Sequence, residues 1–307
     1  MSKGTNRATQ SPESPASKIG YFGPEGSFSH EVAEIMLPGR QLVPFSPTGT
    51  GFRLLNTGVY CAIVVPFENS IGGAVPETLD QLLLVEERKS QPLILEQWVF
   101  RVNLCLLGGK KISLKTVNRI YTHFVPLQVI RPWLEKKFPD VETVLTSSTS
   151  AAARECLNDS QAMAVANPAA ARVYGLKIYE TRLAPPSKNI TRFLLIGASY
   201  QGSQLTRPTK PSDLVRGMLH LRLINRSGAL CDALHVFKKY RVNLTQILSR
   251  PVAGSPGSHQ FLVEWEGCAS DDTTRWMKEL AKVTRKCRNL GVYSVRDVPA
   301  NTSNREI

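Results

Sequence analysis

"CAIVVPFENSIGGAVPETLD" (residues 61–80) changes character in its middle, and that change decides the fold. Cys61–Val65 reads as a strand buried on both faces. The chain then lays down a carboxylate, an amide, a hydroxyl and two glycines before "PETLDQLLL" (76–84) reads as a helix. Pro76 suits a first helical turn, because the N–H it lacks would find no intrahelical acceptor. In α/β sheets, ligands bind outside the carboxyl ends of strands, where such polar clusters stand. The same Glu68-Asn69-Ser70 run also suits an ordinary turn, since Asn and Ser hydrogen-bond their own backbone there.

Outward from this stretch, strands alternate with helices. "KIGYFG" (18–23) reads as a strand running into a helix capped by Ser27, with Phe28, Val32, Ile35 and Met36 on one face. From about residue 97 the pattern restarts. "VFRVNLCLL" (99–107), "RIYTH" (119–123) and "AMAVA" (162–166) read as strands, and "TSSTSAAARECL" (146–157) as a helix. Asn167-Pro168 opens a further helix that Gly175 ends, and "NITRFLLIG" (189–197) is a strand entered through a polar loop. Pro126 and Pro132 leave the helix expected after "RIYTH", in the segment 122–132, without a clear reading. The alternation implies an α/β architecture of two lobes.

"ASYQGSQLTRPTKPSD" (198–213) is polar, proline-bearing and aperiodic, and reads as a linker. Beyond it come the strand "GMLHLRLIN", a helix capped by Ser227, the strands "VNLTQILSRP" and "HQFLVEWEG", a helix marked by Trp276, Leu280 and Val283, and the strand "LGVYSV". The order β-α-β-β-α-β is ferredoxin-like.

Composition excludes little. With 307 residues and 42% hydrophobic content the chain can bury a full core, and no run approaches the length of a membrane span. The net charge of +13 is spread along the chain rather than stacked on one helix; a nucleic-acid footprint and a field for small anions are equally compatible with it, and charge alone decides nothing. Six scattered cysteines without a C-x-x-C pair suit buried thiols in a reducing compartment, and five dispersed histidines offer no metal-ligand spacing. The polar first 17 residues read as a disordered tail without a secretory signal.

"GPEGSFSHEVA", "VPFENSIGGAVPETLD", "TSSTSAAA", "AVANPAAARVYGL" and "NITRF" stand in an order and spacing that resembles the prephenate dehydratase family. Residues 214–296, with "NRSGALCDALHVFKKYRVNLTQILSRP", resemble the ACT domain that follows its catalytic part. The resemblance implies a cytoplasmic lyase of phenylalanine biosynthesis that converts prephenate to phenylpyruvate, CO2 and water, without metal or organic cofactor. It implies a two-lobed, periplasmic-binding-protein-like catalytic part over 18–200, with lobes at about 18–98 plus 191–200 and at 99–190. A linker (201–213), the ACT domain (214–296) and a polar tail (297–307) follow. A homodimer or homotetramer without nucleic-acid or membrane partners is expected.

On this reading Thr191 is the donor to the departing ring hydroxyl, with Glu68, or water ordered by Glu68 and Asn69, as its proton source. Arg192, Ser27, Ser148 and Thr149 hold the carboxylates, and Ser70, Asn189 and Phe193 complete the substrate site. L-Phe is expected at Asn225, Gly228, Ala229, Leu230, Asn243, Leu248, Ser249, Arg250 and Pro251. Two departures stand out. Leu248 occupies the place of the family's glutamate in "ESRP", and Phe124 and Val125 replace the proline and glutamine after His123. Arogenate dehydration on the same site, a non-catalytic small-molecule sensor and a nucleic-acid-binding regulator are the competing readings.

Overall fold

The computed structural model describes residues 18–84, 92–185, 187, 189–198, 205, 210, 213–252, 254–255, 257–268 and 272–299. Most of the expected linker and both chain ends lie outside this set.

Two sheets organise the chain. The larger contains β1 (Lys18–Phe22), β2 (Gln41–Phe45), β3 (Ala62–Asn69), the short β4 (Gly73–Ala74), β5 (Pro92–Arg101) and β11 (Ile190–Ala198). The smaller contains β6 (Cys105–Gly108), β7 (Arg119–Thr122), β8 (Glu142–Leu145), β9 (Ala162–Ala166) and β10 (Lys177–Glu180), in the order β10-β6-β9-β7-β8. The chain crosses between them after Arg101. The single strand expected at 99–107 is therefore two, broken at Val102–Leu104 where the chain changes sheets.

In the larger sheet β1, β2 and β3 are mutually parallel, so their carboxyl ends share one edge. α1 (Phe28–Met36) follows β1, α2 (Thr48–Asn56) follows β2, and a turn at residues 70–72, β4 and α3 (Pro76–Leu83) follow β3. In the smaller sheet β7 is parallel to both β8 and β9. α4 (Phe124–Lys137), α5 (Thr149–Cys156) and α6 (Pro168–Tyr174) all begin at the carboxyl edge of those strands. α4 tolerates both of its prolines. Pro126 sits in the first turn, where its missing N–H is not needed, while Pro132 lies inside the helix.

The carboxyl edges of the two sheets face each other. Asn167, which caps α6, donates through Nδ2 to the Ser27 carbonyl at 3.3 Å and to Glu31 Oε2 at 2.7 Å. Arg172 pairs with Glu34, and the Tyr174 hydroxyl reaches the Glu25 carbonyl at 3.4 Å. Gly26 makes the approach possible: its φ is +74°, and a Cβ there would stand 3.0 Å from Ala170 Cα.

The C-terminal strands β12 (Leu214–Leu223), β13 (Asn243–Pro251), β14 (His259–Cys268) and β15 (Thr284–Asp297) are ordered β13-β14-β12-β15. Helices α7 (Ala229–Lys239) and α8 (Thr273–Val283) pack on one face around Phe237, Trp265, Trp276 and Leu280. This is the expected β-α-β-β-α-β unit, but it does not stand apart. β15 runs parallel to β5, pairing Ser294 with Glu96 through Asp297 with Val99, so one sheet continues from the first lobe into the C-terminal unit. Arg296 reaches the buried Glu96 at 2.9 Å across this seam. Ser227 does not cap α7; the cap position is Gly228, in the left-handed conformation that glycine adopts freely.

The larger sheet thus has two different faces. One carries Ala62, Val64, Trp98, Phe193 and Leu195, and packs toward α1 and the second lobe. The other carries Ile63, Val65, Phe67, Leu194 and Ile196, and packs against α2, α3 and the C-terminal Met218, Leu262, Leu290 and Tyr293.

Candidate active site

β3 and β11 pair antiparallel, with Thr191 opposite Asn69 and Arg192 opposite Glu68. Directly opposed residues share a face, and consecutive residues alternate. The pair Asn69–Thr191 therefore looks toward the second lobe, and the pair Glu68–Arg192 looks the other way.

On the cleft face, the Asn69 Nδ2 donates to Thr191 Oγ1 at 2.9 Å and to Asn189 Oδ1 at 2.8 Å. Its Oδ1 accepts from the N–H groups of Ile71 and Gly72, each at 3.0 Å. Those two backbone donors fix which end of the amide points at Thr191. Because Thr191 Oγ1 is already an acceptor, its own O–H is directed elsewhere, as a donor. Ser70 holds the strand entrance: its Oγ accepts from Ile190 N at 3.0 Å, and its N–H donates to the Ile190 carbonyl at 2.8 Å. Across the cleft Val125 lies against Gly72, 3.3 Å from where a Cβ would be.

Helix N-termini supply the remaining donors. Ser148 Oγ caps α5 by accepting from Ala151 N at 3.0 Å, and helix geometry leaves the Thr149 and Ser150 N–H groups without intrahelical acceptors. Such an end favours an anion. Ser150, the last residue of the polar run 147–150, has its Oγ fully buried at this helix start, with no hydrogen-bond partner among the described residues. Ser27 Oγ accepts from His30 N at 3.2 Å and donates to the Phe22 carbonyl at 3.1 Å, so the hydroxyl serves the cap. His123 likewise caps α4, its Nδ1 accepting from Val125 N, and burial lowers its pKa.

Several expected roles are redistributed. Phe193 is buried in the core beneath the site, edge-on to Phe100 at 6.3 Å. Glu68 does not reach Thr191, and Arg192 does not face the cleft. Arg192 Nη1 instead donates to Glu68 Oε2 at 2.7 Å, and Nη2 donates to Gln97 Oε1 at 2.6 Å and to the buried Glu264 of β14. The alternation of adjacent residues along a strand was the signal that separates Glu68 from Asn69 and Arg192 from Thr191.

At the C-terminal unit, Arg222 is in register with Gln260, and Gln260 with Arg250, so the ends of β12 and β13 share one edge. The start of α7 at Gly228–Leu230, which follows β12, and the end of β13 at Leu248–Pro251 therefore lie at the same edge of the sheet, with Ala229 buried and Leu230 exposed. Asn225 is exposed, and Asn243 Nδ2 donates to Glu266 at 2.6 Å. Leu248 packs on the apolar cluster shared by the first lobe and the C-terminal unit, and Arg250 lies 3.5 Å from Asp80 of α3.

The cysteines are free thiols; Cys61, Cys105 and Cys156 are buried, while Cys231 and Cys268 are exposed. Among the described residues no helix is long and apolar enough to cross a membrane.

The chain is thus a two-lobed α/β protein with an amide–hydroxyl pair at the strand ends of its cleft. The prephenate dehydratase family model matches residues 19–201. The prephenate dehydratase of Lactococcus lactis subsp. cremoris is 31% identical over 91% of this chain and 98% of its own length. The structure of an Arthrobacter aurescens prephenate dehydratase in complex with L-Phe superposes with a TM-score of 0.79 at 26% identity, covering 90% of each chain. A structure described as GqqA, a novel type of quorum quenching acylase, superposes with a TM-score of 0.77 at 26% identity, covering 94% of this chain and all of that one. The chain belongs to the prephenate dehydratase family. Its activity is that of a prephenate dehydratase, a lyase of aromatic amino-acid biosynthesis.

Proposed function

We propose that the dehydration is carried out at the Asn69–Thr191 pair. In the reaction the bond between the ring and its carboxylate breaks and CO2 leaves. The electron pair moves through the ring diene, and the C4–O bond breaks as the ring becomes aromatic. Hydroxide departs with one proton, as water. Thr191 donates its hydroxyl hydrogen bond to that oxygen as charge develops on it, a contribution of about 10²–10⁴ in rate for a positioned donor. Asn69 sets the direction of the donor and is itself set by the turn at Ile71 and Gly72. A threonine hydroxyl is too weak an acid to be the ultimate proton source, so the net proton that turns the departing hydroxide into water is taken up from bulk solvent, while Thr191 hydrogen-bonds the leaving oxygen.

The carboxylates are held at the N-terminus of α5, by Thr149, Ser150 and the Ser148 cap, with Asn189 and Ser70 shaping the strand entrance. Ser27 acts by holding α1 at the lobe contact. The observation that carries this reading is the 2.9 Å contact between Asn69 Nδ2 and Thr191 Oγ1 at the carboxyl edge of β3.

The C-terminal unit is read as an ACT domain over 214–296 that senses L-Phe between the start of α7 and the end of β13. The domains divide as 18–200 catalytic and 201–213 linker, in a cytoplasmic homodimer or homotetramer. The L-Phe complex of the Arthrobacter relative supports this effector. Leu248, apolar where the family carries an acid, lies on the face of β13 turned to the apolar cluster shared with the first lobe rather than to α7.

A second reading, amide hydrolysis, draws on the likeness to the acylase. It needs a nucleophile beside a base, and Thr191 is hydrogen-bonded by an amide donor instead. Incubating the purified protein separately with prephenate, arogenate and an N-acyl amide tests all of these. Phenylpyruvate from prephenate supports the dehydratase, and phenylalanine from arogenate moves the assignment to the aminated substrate. Turnover of the amide alone overturns both.

A further inference from the structure

Thr191 and Arg192 are adjacent on β11, and so are Asn69 and Glu68 on β3, so the cleft pair and the ion pair stand back to back through one sheet. The reverse pair is not a surface bridge. Glu264 of β14 is 1% exposed, and its carboxylate takes Arg192 on one oxygen, together with the Tyr293 hydroxyl at 3.0 Å. The other oxygen accepts from Thr245 at 2.8 Å and stands 3.5 Å from Arg216. Gln246 of β13 donates to Glu68 Oε1 at 2.8 Å and accepts from Arg192 at 3.3 Å. The guanidinium lies over the Phe67 ring at 5.1 Å. Two cations and two carboxylates close a neutral cluster whose members come from both the first lobe and the C-terminal unit.

β13 bears on this cluster along its length. Gln246, Leu248 and Arg250, two residues apart and on one face, touch Glu68, the apolar cluster shared by the first lobe and the C-terminal unit, and Asp80 in turn. The strand that ends at the proposed effector edge is therefore the strand that grips the back of the catalytic pair. A shift of β13 or β14 cannot leave Arg192 where it is, because a fork held on three sides has one geometry. Moving Arg192 moves the backbone that aims Thr191.

We infer that Arg192 is a positioning residue for Thr191, through which the C-terminal unit sets the alignment of the catalytic hydroxyl. The effector part of this inference rests on the L-Phe reading above; the positioning part does not.

The test is a double-mutant cycle on the full-length protein with prephenate, with L-Phe binding followed by calorimetry. Arg192→Lys keeps the charge and loses the fork. It lowers kcat at least about tenfold while KM stays within about twofold, the pattern of a lost transition-state interaction. In a Thr191→Ala background the same substitution changes kcat by less than about twofold, since the residue it positions is gone. Additive losses overturn the inference. Should Arg192→Lys fail to fold, Gln246→Ala enters the same cycle with a smaller loss expected and the same criterion. Gln246→Ala also binds L-Phe as tightly as the unsubstituted protein but loses most of its inhibition; full inhibition in that variant overturns the coupling. If L-Phe neither binds nor inhibits the unsubstituted protein, the effector reading falls, and the cycle alone decides the role of Arg192.

Discussion

Asn69 Nδ2 and Thr191 Oγ1 lie 2.9 Å apart on one face of the β3–β11 ladder, while their chain neighbours Glu68 and Arg192 pair at 2.7 Å on the other. Chemistry and inter-unit contact are thereby separated by the thickness of one sheet, without any loop between them. The alternation of strand side chains is enough to do this. Its consequence is that substitutions at neighbouring positions should fail in different ways.

Thr191→Ala removes the hydroxyl proposed above as donor to the ring oxygen. It is expected to lower kcat by about 10² or more, the scale measured for single preorganised donors, with KM little changed. Thr191→Ser keeps the hydroxyl and should remain within about tenfold of the original kcat. Steady-state rates with prephenate check both, and equal losses in the two variants would take the hydroxyl out of the mechanism.

Asn69→Asp separates the two jobs of this amide. The new carboxylate still accepts from Ile71 N and Gly72 N, so the turn should hold and the melting temperature should change little. It can no longer donate to Thr191 or Asn189, and it places a negative charge beside a departing hydroxide. A kcat loss of about tenfold to 10³ is expected. A variant that melts early but turns over normally would make Asn69 a turn residue and nothing more.

Much of this architecture was legible in the sequence because the signals were local. The apolar run 61–65, the Pro76 helix start and the Asn167-Pro168 cap with Gly175 at its end all describe single elements, and each stands where expected. What escaped was pairwise. "ENS" and "TRF" each look like one polar cluster when read along the chain, yet each contributes alternate residues to opposite faces. The register that opposes Thr191 to Asn69 is set by a strand 120 residues away, and a bulge at Phe67 shifts it. The junction of β15 with β5 was invisible for the same reason, since neither strand's composition names its neighbour. Ser27 and Ser148 carried two meanings in the sequence, and only coordinates could choose the cap for Ser27.

Glu264→Ala should cost more stability than its distance from the cleft suggests. It leaves Arg192 and Arg216 without their buried carboxylate and strips Thr245 and Tyr293 of an acceptor. Breaking a buried ion pair from one side typically costs about 3–5 kcal/mol. Glu264→Gln, which keeps an acceptor oxygen, should lose less. Urea denaturation of the three proteins, read as the shift of midpoint at constant slope, checks the order. Equal stability of Glu264→Ala and the unsubstituted protein would mean that the cluster is not held as described.

Glu31 should make the lobe contact pH-dependent. Burial is the main cause that raises its pKa to about 7; the Asn167 hydrogen bond and Arg172 act downward, and Glu34 adds to the rise. A carboxyl raised in the folded state binds its proton where the unfolded chain has already lost it. Between about pH 4.5 and 7 the folded state therefore holds the extra proton, and stability falls as pH rises through that window. Below the window the protonated carboxyl contributes in full, and above pH 7 the contribution is gone. A rise of this size corresponds to about 3 kcal/mol across the window at 1.36 kcal/mol per pH unit. Glu31→Gln keeps an oxygen for the Asn167 Nδ2 and has no proton to lose. Its stability relative to the unsubstituted protein should therefore grow from pH 5 to pH 8. Chemical denaturation of both proteins at those two pH values measures the difference. A constant difference would show that Glu31 titrates alike in the folded and unfolded chain, leaving the α1–α6 contact insensitive to pH.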